Sequence, residues 1–280
     1  MPMRGVLTNA SPTLTGLDFP SNVSGSDQAA PFVAMQYLNP HNNGLPIWGT
    51  GSGSARTGAT YIWKIRPRQQ TGYYATMWWS NNGSFLWDAG SGNTYYGGQP
   101  YPQNQANTGT THWWEVATDY GGDYIDYLGN SPGSGSPKTV VKDVWYTQAL
   151  RIIVNGDGSK TIRFYNDLPS VATADYVEHT VSSGYGETNP TSPALTFGDS
   201  PWYASYQHER LSGVLRGIKV FSRGLSEAEV LTEASTDTIS AANIWYANPN
   251  PTPDDITDKS GQGHNFSWAD GANKATLWTG

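Results

Sequence analysis

The stretch HWWEVATDYGGDYIDY, residues 112–127, concentrates side chains that could carry out chemistry. Glycoside hydrolysis needs two carboxyl groups that face each other across the scissile bond, roughly 5 to 10 Å apart. Glu115 and Asp119 are four residues apart and are the first pair that this stretch offers. Carboxylates at such positions are more often solvated surface groups, so the pair is a weak catalytic signal.

Polysaccharide lysis is the alternative chemistry, and it needs a base such as Tyr or His and a group that neutralises the uronate carboxylate. The segment YQHERL, 206–211, supplies His208 and Arg210, which would share one face of a strand. His112 and Glu115 complete the candidate set for an enzyme. The same segment also fits a polar rim beside a strand. We therefore interpret the chain as non-catalytic and keep the lyase as an alternative.

Three aspartates in the opening stretch could hold a metal ion. Asp119, Asp123 and Asp126 lie on both sides of a Gly-Gly turn. Calcium accepts six to eight oxygen ligands in loose geometry, whereas aspartates in turns also accept backbone N–H groups without a metal. The spacing differs from that of an EF-hand loop. These residues are the candidate calcium site, and the five histidines lack the spacing of a zinc site.

Aromatic residues are the richest feature, with 12 tryptophans and 17 tyrosines. Their flat amphipathic rings have few rotamers to freeze, and they often anchor binding sites. Neighbours on a strand point to opposite faces, so an adjacent pair places one ring outward. The alternative is that loops bury these rings in satellite clusters. The candidate carbohydrate-binding residues are Trp78, Trp79, Trp87, Tyr95, Tyr96, Trp113 and Trp114.

Composition limits the remaining possibilities. Only 14% of residues are charged and 32 are glycine, a mix typical of many short strands joined by tight turns. The net charge of -7 argues against nucleic acid as a partner. The absence of cysteine excludes disulfides and thiolate sites. No apolar run is long enough for a signal peptide or a membrane span, so we predict no membrane insertion. The absence of an export signal would suit a cytoplasmic protein, a trimmed chain, or a virion component that is made in the cytosol and later exposed outside. Among these we expect an extracellular-facing or virion-surface location.

Local patterns predict the elements that must position these side chains. Period-two alternation predicts a strand from residue 59 to 66. Alternating runs at 149–154 and 160–165 flank a turn that contains Asn155-Gly156, which predicts a hairpin. A short helix is predicted near 226–234.

Three local features mark the start of that helix. Ser226 can cap it, Glu229 completes a capping box, and Leu225 can pack on Val230 as a hydrophobic staple. All three features agree on one boundary.

Several segments together resemble a known family. They are VWYTQALRIIVNGDGSKTIRFYND (144–167), TFG (196–198), GVLRGIKVFSRGLSEAEV (213–230) and DKSGQGHNF (258–266). The set resembles laminin-G-like modules of the concanavalin A-like lectin and glucanase superfamily. The resemblance implies a jelly-roll sandwich of two antiparallel sheets whose concave face or rim loops bind glycans, in some members with calcium.

Two departures from that family matter. Its D-x-S-G-x-G turn usually lies near the start of a module, but here it follows the predicted helix, so it either closes the domain or begins a second module. Glucanases of this fold carry E-x-D-x-x-E on one strand, and this sequence lacks that motif. The resemblance therefore does not imply catalysis.

We predict an all-β jelly-roll β-sandwich with one short helix. The expected division is an N-terminal arm at 1–30, the sandwich domain at 31–240, and a C-terminal extension at 241–280 that packs on the domain or on a neighbour. The predicted function is non-catalytic carbohydrate binding, with a glycan or polysaccharide as partner. The alternatives are a structural decoration or fibre protein of a phage or virus particle, which would contact other subunits or form a homo-oligomer, and a polysaccharide lyase or glycoside hydrolase.

Overall fold

The computed structural model describes the strands, the helix and several connecting turns of the chain. The described residues are 14–19, 33–35, 59–67, 78–79, 101–102, 112–113, 115–117, 124–126, 143–157, 159–165, 167–168, 176–181, 196–197, 213–221, 223–238, 244–248, 251–261, 266–268 and 274–280. In those residues the chain forms strands β1 to β16 and one helix, α1. The all-β class predicted from composition is confirmed.

One large antiparallel sheet contains eight of these strands. From edge to edge its order is β11 (Tyr176–Val181), β10 (Lys160–Tyr165), β9 (Tyr146–Val154), β3 (Ala59–Pro67), β13 (Gly213–Phe221), β1 (Thr15–Phe19) and β16 (Thr276–Thr279). The eighth strand, β14 (Ile244–Asn248), pairs with residues 218–221 of β13, while β1 pairs with residues 213–215. The two strands therefore share one edge of β13.

A bulge in β13 determines which of its side chains share a face. Arg216 lies opposite Lys64 of β3, but Lys219 lies opposite Ile62, so β13 has one extra residue between them. Gly217 occupies the bulge with a φ of 63°, a left-handed conformation that glycine adopts without a Cβ penalty. Since alternate residues of β3 share a face, the extra residue brings Arg216 and Lys219 to the same face of the sheet.

Smaller sheets complete the strand set. The second sheet has the order β15 (Phe266–Trp268), β2 (Val33–Met35), β12 (Thr196–Phe197) and β4 (Trp78–Trp79). Two separate pairs are β5 (Tyr101–Pro102) with β6 (His112–Trp113), and β7 (Glu115–Ala117) with β8 (Tyr124–Asp126). The second sheet meets the large one where the Trp268 ring lies 6.3 Å from the Phe19 ring. Two antiparallel sheets in contact are consistent with the predicted jelly-roll sandwich.

The predicted hairpin is present as β9 and β10. The two strands pair from Lys160 opposite Val154 to Tyr165 opposite Ala149. At the turn the backbone N–H of Asn155 donates to the Ser159 carbonyl at 2.8 Å, and the Asn155 side-chain amide donates to the Ser159 hydroxyl at 2.8 Å. Side-chain and backbone bonds therefore both close the turn that the sequence predicted.

The predicted helix is also confirmed, as α1 (Glu227–Ala234) with Ser226 as its N-cap. The Glu229 N–H donates to the Ser226 hydroxyl at 3.3 Å, and the Glu229 carboxylate accepts from the Ser226 N–H at 2.7 Å. Leu225 and Val230 are both buried, as a hydrophobic staple requires. Within the described residues, no helix has the length and apolar character needed to span a membrane.

Both faces of the large sheet are packed. One face buries Tyr61, Trp63 and Leu215 among others, and the Trp63 indole N–H donates to the buried Gln148 side chain at 2.9 Å. The other face forms a second core beneath α1. Its members are Ile62, Ala149, Tyr165, Leu168, Phe221, Leu225, Val230 and Ala234. The helix covers only part of this face, and the uncovered part carries the polar side chains described below.

The outer segments of the chain contribute to these sheets. Within the predicted arm, residues 15–19 form β1, and within the predicted extension, β14 and β16 join the large sheet while β15 joins the second. The boundaries proposed at residues 30 and 240 stay a prediction.

Candidate ligand-binding surface

The aromatic residues singled out from the sequence lie partly on short strands. Trp78 and Trp79 form β4, where they pair with Phe197 and Thr196 of β12. Trp113 in β6 lies opposite Tyr101 of β5. The other predicted carbohydrate-binding residues lie outside the described residues: Trp87, Tyr95, Tyr96 and Trp114. Their role in glycan binding stays a prediction.

Of the acidic and basic residues singled out from the sequence, some lie within the described residues and others lie outside them. Glu115 and Asp126 lie directly opposite each other in the pair formed by β7 and β8, and His112 begins β6. Asp119, Asp123, His208 and Arg210 lie outside the described residues. Among the side chains that the structure describes, no group of three His, Asp or Glu residues could hold a metal ion. The calcium site and the lyase site therefore stay predictions.

A different set of residues forms the best-defined polar surface, on the helix-bearing side of the large sheet. Strand register places it: Lys64 lies opposite Arg216, and Arg66 lies opposite Val214 on the same two strands. Because alternate positions share a face, Lys64, Arg66 and Arg216 all belong to one side of the sheet. Lys64 and Arg66 come from β3 and Arg216 comes from β13, two segments far apart in sequence.

Two tryptophans lie against these cations. The rings of Trp145 and Trp278 have centroids 5.2 Å apart at an angle of 70°, an edge-to-face pair, and both side chains are partly exposed. The Arg66 guanidinium lies 5.8 Å from the Trp278 ring centroid, and the Arg216 guanidinium lies 5.1 Å from that of Trp145. Both distances are within the range of cation–π attraction. We call Trp145, Trp278, Arg66 and Arg216 the tryptophan–arginine patch.

Two glycines allow the strands around Trp278 to pack closely. Trp278 lies opposite Gly16, and a Cβ on Gly16 would lie 2.5 Å from the Val214 side chain. A Cβ on Gly280 would overlap the Trp278 ring. Larger residues at either position would shift β1 or the ring. The close packing of β1, β13 and β16 therefore depends on these two small residues.

Arg66 is fixed by a single partner residue. Its Nε donates to the Asp143 carbonyl at 3.1 Å, and its Nη1 lies 2.9 Å from the Asp143 carboxylate. Asp143 has a φ of 64°, a left-handed conformation that aspartate tolerates better than most residues. Backbone and side chain of one residue thus hold the guanidinium beside Trp278.

Arg216 is held differently, and it is deeply buried. Its side chain is 8% exposed, and its Nη2 lies 3.6 Å from an oxygen of Asp237. Asp237 is also in direct contact with the Lys64 ammonium. Among the residues that the structure describes, none accepts a hydrogen bond from the Nε or Nη1 group of Arg216. Burial lowers the pKa of Arg216, and the attraction of Asp237 only partly opposes this effect.

A neighbouring cation, Lys219, has the opposite character because its hydrogen bonds are satisfied. Its Nζ lies 3.0 Å from the Glu233 carboxylate and donates to the carbonyls of Glu233, Thr236 and Thr238 at 2.9 to 3.0 Å. Burial lowers its pKa, and the hydrogen bond with Glu233 opposes that shift. Lys219 therefore fastens the end of α1 to β13, and it is a structural group.

A second cation–aromatic cluster lies toward the other edge of the sheet. The Arg163 guanidinium lies 4.0 Å from the Tyr176 ring centroid and donates to Glu178 at 2.8 Å. Burial lowers the pKa of Arg163, but hydrogen bonds with Tyr165 and Glu178 more than offset this and leave it raised. Glu227 of α1 lies 3.6 Å from the same guanidinium. Since Arg163 has its own carboxylates, this cluster ties the helix to the sheet.

The tryptophan–arginine patch was not predicted from the sequence. Trp145 lies at the start of the hairpin segment 144–167, and Trp278 lies within the predicted C-terminal extension, so neither stands out as a binding residue. The basic residues alternate along β3, which was a visible signal, but their partners come from other strands. The patch offers two apolar rings and guanidinium donors on one surface, which suits a ligand with an apolar face and polar substituents.

Comparison with known proteins supports the fold. No protein-family model matches the chain, and no curated protein matches it. A candidate carbohydrate-binding protein from Bacteroides ovatus aligns with a TM-score of 0.52 at 13% identity over 95% of this chain and 60% of that one. A heptameric SAP-like pentraxin from Limulus polyphemus aligns at 0.47, with 14% identity, over 95% and 94% of the two chains.

A phage protein aligns less well. The enzymatically active domain of tailspike protein 2 from bacteriophage CBA120 gives a TM-score of 0.38 with 14% identity, over 88% of this chain and 34% of that one. The pentraxin and the tailspike fall below the similarity from which a shared fold can be argued. The Bacteroides protein shows that the chain has a known type of fold, and at this identity it shows the fold alone.

Proposed function

We propose that the protein binds carbohydrate without cleaving it, as a lectin-like member of the concanavalin A-like group. The observation that carries the proposal is the partly exposed Trp145–Trp278 pair. Sugars have apolar C–H faces, which stack on such rings, and rigid aromatic side chains lose little entropy on binding. The similarity in fold to a candidate carbohydrate-binding protein supports the proposal but does not carry it.

The rings are already held in place, which favours binding. Arg66 and Arg216 lie against the two rings, and Asp143 in turn fixes Arg66. A ligand would therefore meet a surface whose rotamers are largely set before it arrives. Prior ordering of this kind lowers the entropic cost of association.

A glycan array followed by calorimetric titration tests this function. We expect Trp145→Ala and Trp278→Ala each to weaken binding about 30-fold, because aromatic residues at the centre of an interface contribute about 2 kcal/mol or more. Tyr176→Ala is the matched control, since Tyr176 also stacks on an arginine but belongs to the Arg163 cluster. It should bind like the wild type. A wild-type array without any ligand would refute the proposal.

The aromatic residues predicted from the sequence give a second location for the same function. Trp79→Ala or Trp113→Ala should weaken binding if the glycan lies on the short strands β4 and β6. Loss of binding in these variants, with Trp278→Ala unaffected, would move the site away from the tryptophan–arginine patch and leave carbohydrate binding intact. The calcium that the family resemblance implies would belong to Asp119, Asp123 and Asp126 in either case.

The enzymatic alternative has a direct assay. A lyase would generate an unsaturated uronate product, whose absorbance grows steadily during incubation with a uronate polysaccharide. We expect no growth in absorbance. Steady growth that is lost in His208→Ala or Arg210→Ala would replace the non-catalytic proposal with a lyase.

A structural role in a larger assembly is the second candidate function, and one observation favours it. β16 is an edge strand of the large sheet, and Leu277 on it is 47% exposed. Exposed apolar edge strands can pair with another chain. Native mass spectrometry tests this role: we expect an oligomer that Leu277→Lys dissociates, and a monomer at all concentrations would exclude it. An extracellular or virion-surface location is part of the same proposal.

A further inference from the structure

Arg216 has fewer anionic partners than its surroundings require. Within the part of the chain that the structure describes, Asp237 is the carboxylate that acts on it, at 3.6 Å, and Lys64 shares that carboxylate through a closer contact. Asp143 is engaged by Arg66. Asp18 of β1 and Arg66 of β3 lie on opposite sides of Val214 in the strand register. Arg216 lies two residues along β13 from Val214. Among the described residues, Lys64 and Arg216 therefore share the carboxylate of Asp237.

The free-energy cost of burying the Arg216 charge favours binding of an anion at this position. Removing a charged group from water is unfavourable unless hydrogen bonds and an opposite charge compensate it. More than nine-tenths of the Arg216 side chain is buried, yet no described residue accepts a hydrogen bond from its Nε or Nη1. Stacking on Trp145 at 5.1 Å offsets part of the cost through cation–π attraction, but it supplies no hydrogen bond. Lys219 lies on the same face and is also buried, but one carboxylate and three carbonyls accept hydrogen bonds from its ammonium and so compensate its burial.

We infer that the tryptophan–arginine patch binds a sugar that carries a carboxylate, a uronate or a sialate. This inference rests on the proposed function and narrows it to acidic glycans. The apolar face of the sugar would stack on Trp145 or Trp278, and its carboxylate would contact the partly exposed Arg66 guanidinium and compensate the charge of the buried Arg216 guanidinium. Arginine suits this task because its charged, planar group donates several hydrogen bonds to a carboxylate. A protein of net charge -7 would repel acidic polymers elsewhere, so a local pair of arginines would also fix where they bind.

The test compares ligands that differ only in the carboxylate, on the unaltered protein. Calorimetric titrations use tetragalacturonate and sialyllactose, each against its own methyl ester. We expect one acid to bind at least about tenfold more tightly than its neutral counterpart, the effect of a single charge-assisted hydrogen bond of about 1.4 kcal/mol. The pair that shows the difference identifies uronate or sialate as the source of the carboxylate. Added salt should reduce the difference because it screens the charges.

Each result has a distinct meaning. Equal binding of acid and neutral ligand would overturn the acidic specificity and leave carbohydrate binding intact. Binding of neutral glycans alone on the array would do the same. An array with no ligand of any kind, acidic or neutral, would overturn both proposals together.

Variants locate the carboxylate on the patch. Arg216→Gln should abolish the discrimination between acid and ester, and Arg216→Lys should restore only part of it because the ammonium lacks the planar donor group. Arg163→Gln is the matched control, an arginine on the same sheet that already has Glu178. Full discrimination in a folded Arg216→Gln protein would show that the carboxylate binds elsewhere. If that variant does not fold, the ligand comparison on the wild-type protein still decides the inference.

Discussion

Lys219 and Glu233 form a buried ion pair across the boundary between sheet and helix, with Nζ 3.0 Å from the carboxylate. Their side chains are 3% and 9% exposed. The bulge at Gly217 places Lys219 on the face that α1 covers, so a feature of one strand determines how the helix is fastened. The same bulge leaves Arg216 on the uncovered part of that face.

Breaking this pair should be costly. Lys219→Met removes the ammonium from the Glu233 carboxylate and from three carbonyls, and we expect the free energy of unfolding to fall by about 3–5 kcal/mol, the usual cost of removing one partner of a buried ion pair. Urea unfolding at pH 7 measures the change. Lys259→Met, which removes a half-exposed pair with Asp255, is the control and should cost no more than about 1 kcal/mol. A loss below that level for Lys219→Met would contradict the structural role.

The start of α1 should be sensitive to acid. Hydrogen bonds from Arg223, and then those from Ser226, lower the pKa of Glu229 from 4.5 to about 2. A carboxylate whose pKa is lower in the folded state stabilises the fold above its unfolded pKa, and this contribution disappears as the pH falls through the folded pKa. The loss should therefore occur between pH 4.5 and about pH 2.

Melting temperatures of the wild type and Glu229→Gln across that range test the assignment. The wild type should melt higher at pH 6, and the two curves should converge as the pH approaches 2. A difference that is independent of pH would show that Glu229 acts through hydrogen bonds alone. The nearby Thr232→Ala serves as a control that changes no charge.

The elements that the sequence predicted correctly are those specified by neighbouring residues. Ser226, Glu229 and Leu225 lie within a few positions of one another, and the hairpin of β9 and β10 is set by its turn. Such signals need no knowledge of distant contacts. The fold class followed from composition and from these local patterns.

The tryptophan–arginine patch could not be predicted in this way. It brings together β3, β13, β16 and the start of β9, and its geometry depends on strand register and on the bulge at Gly217. Arg216 and Lys219 are three positions apart in the sequence. This odd spacing would place them on opposite faces of a regular strand. Only the register of β13 against β3 reverses that expectation.

The calcium hypothesis predicts a ligand-dependent melting temperature. Asp119, Asp123 and Asp126 would bind the ion, and calcium at about 100 times its dissociation constant would stabilise the fold by about 2.7 kcal/mol. The melting temperature should rise by several degrees when calcium is added and return to its original value when EDTA is added. Asp126→Asn should abolish the shift, whereas Asp157→Asn, at an exposed hairpin turn, should keep it. An unchanged melt with both additions would remove calcium from the proposal.

Substitutions at Gly217 test whether the bulge positions both cations. Gly217→Ala should cost about 1–2 kcal/mol, because its φ of 63° is unfavourable for alanine although the nearest atom to the new Cβ is 3.5 Å away. Gly217→Asn should cost less, since asparagine adopts the left-handed region more readily. Gly156→Ala, where a Cβ meets nothing within 4 Å, is the control for loss of glycine. Relief of this strain would shift the flanking residues of β13, Arg216 among them, so Gly217→Ala should also weaken acidic-glycan binding. A stable variant with full affinity would show that the bulge does not position the patch.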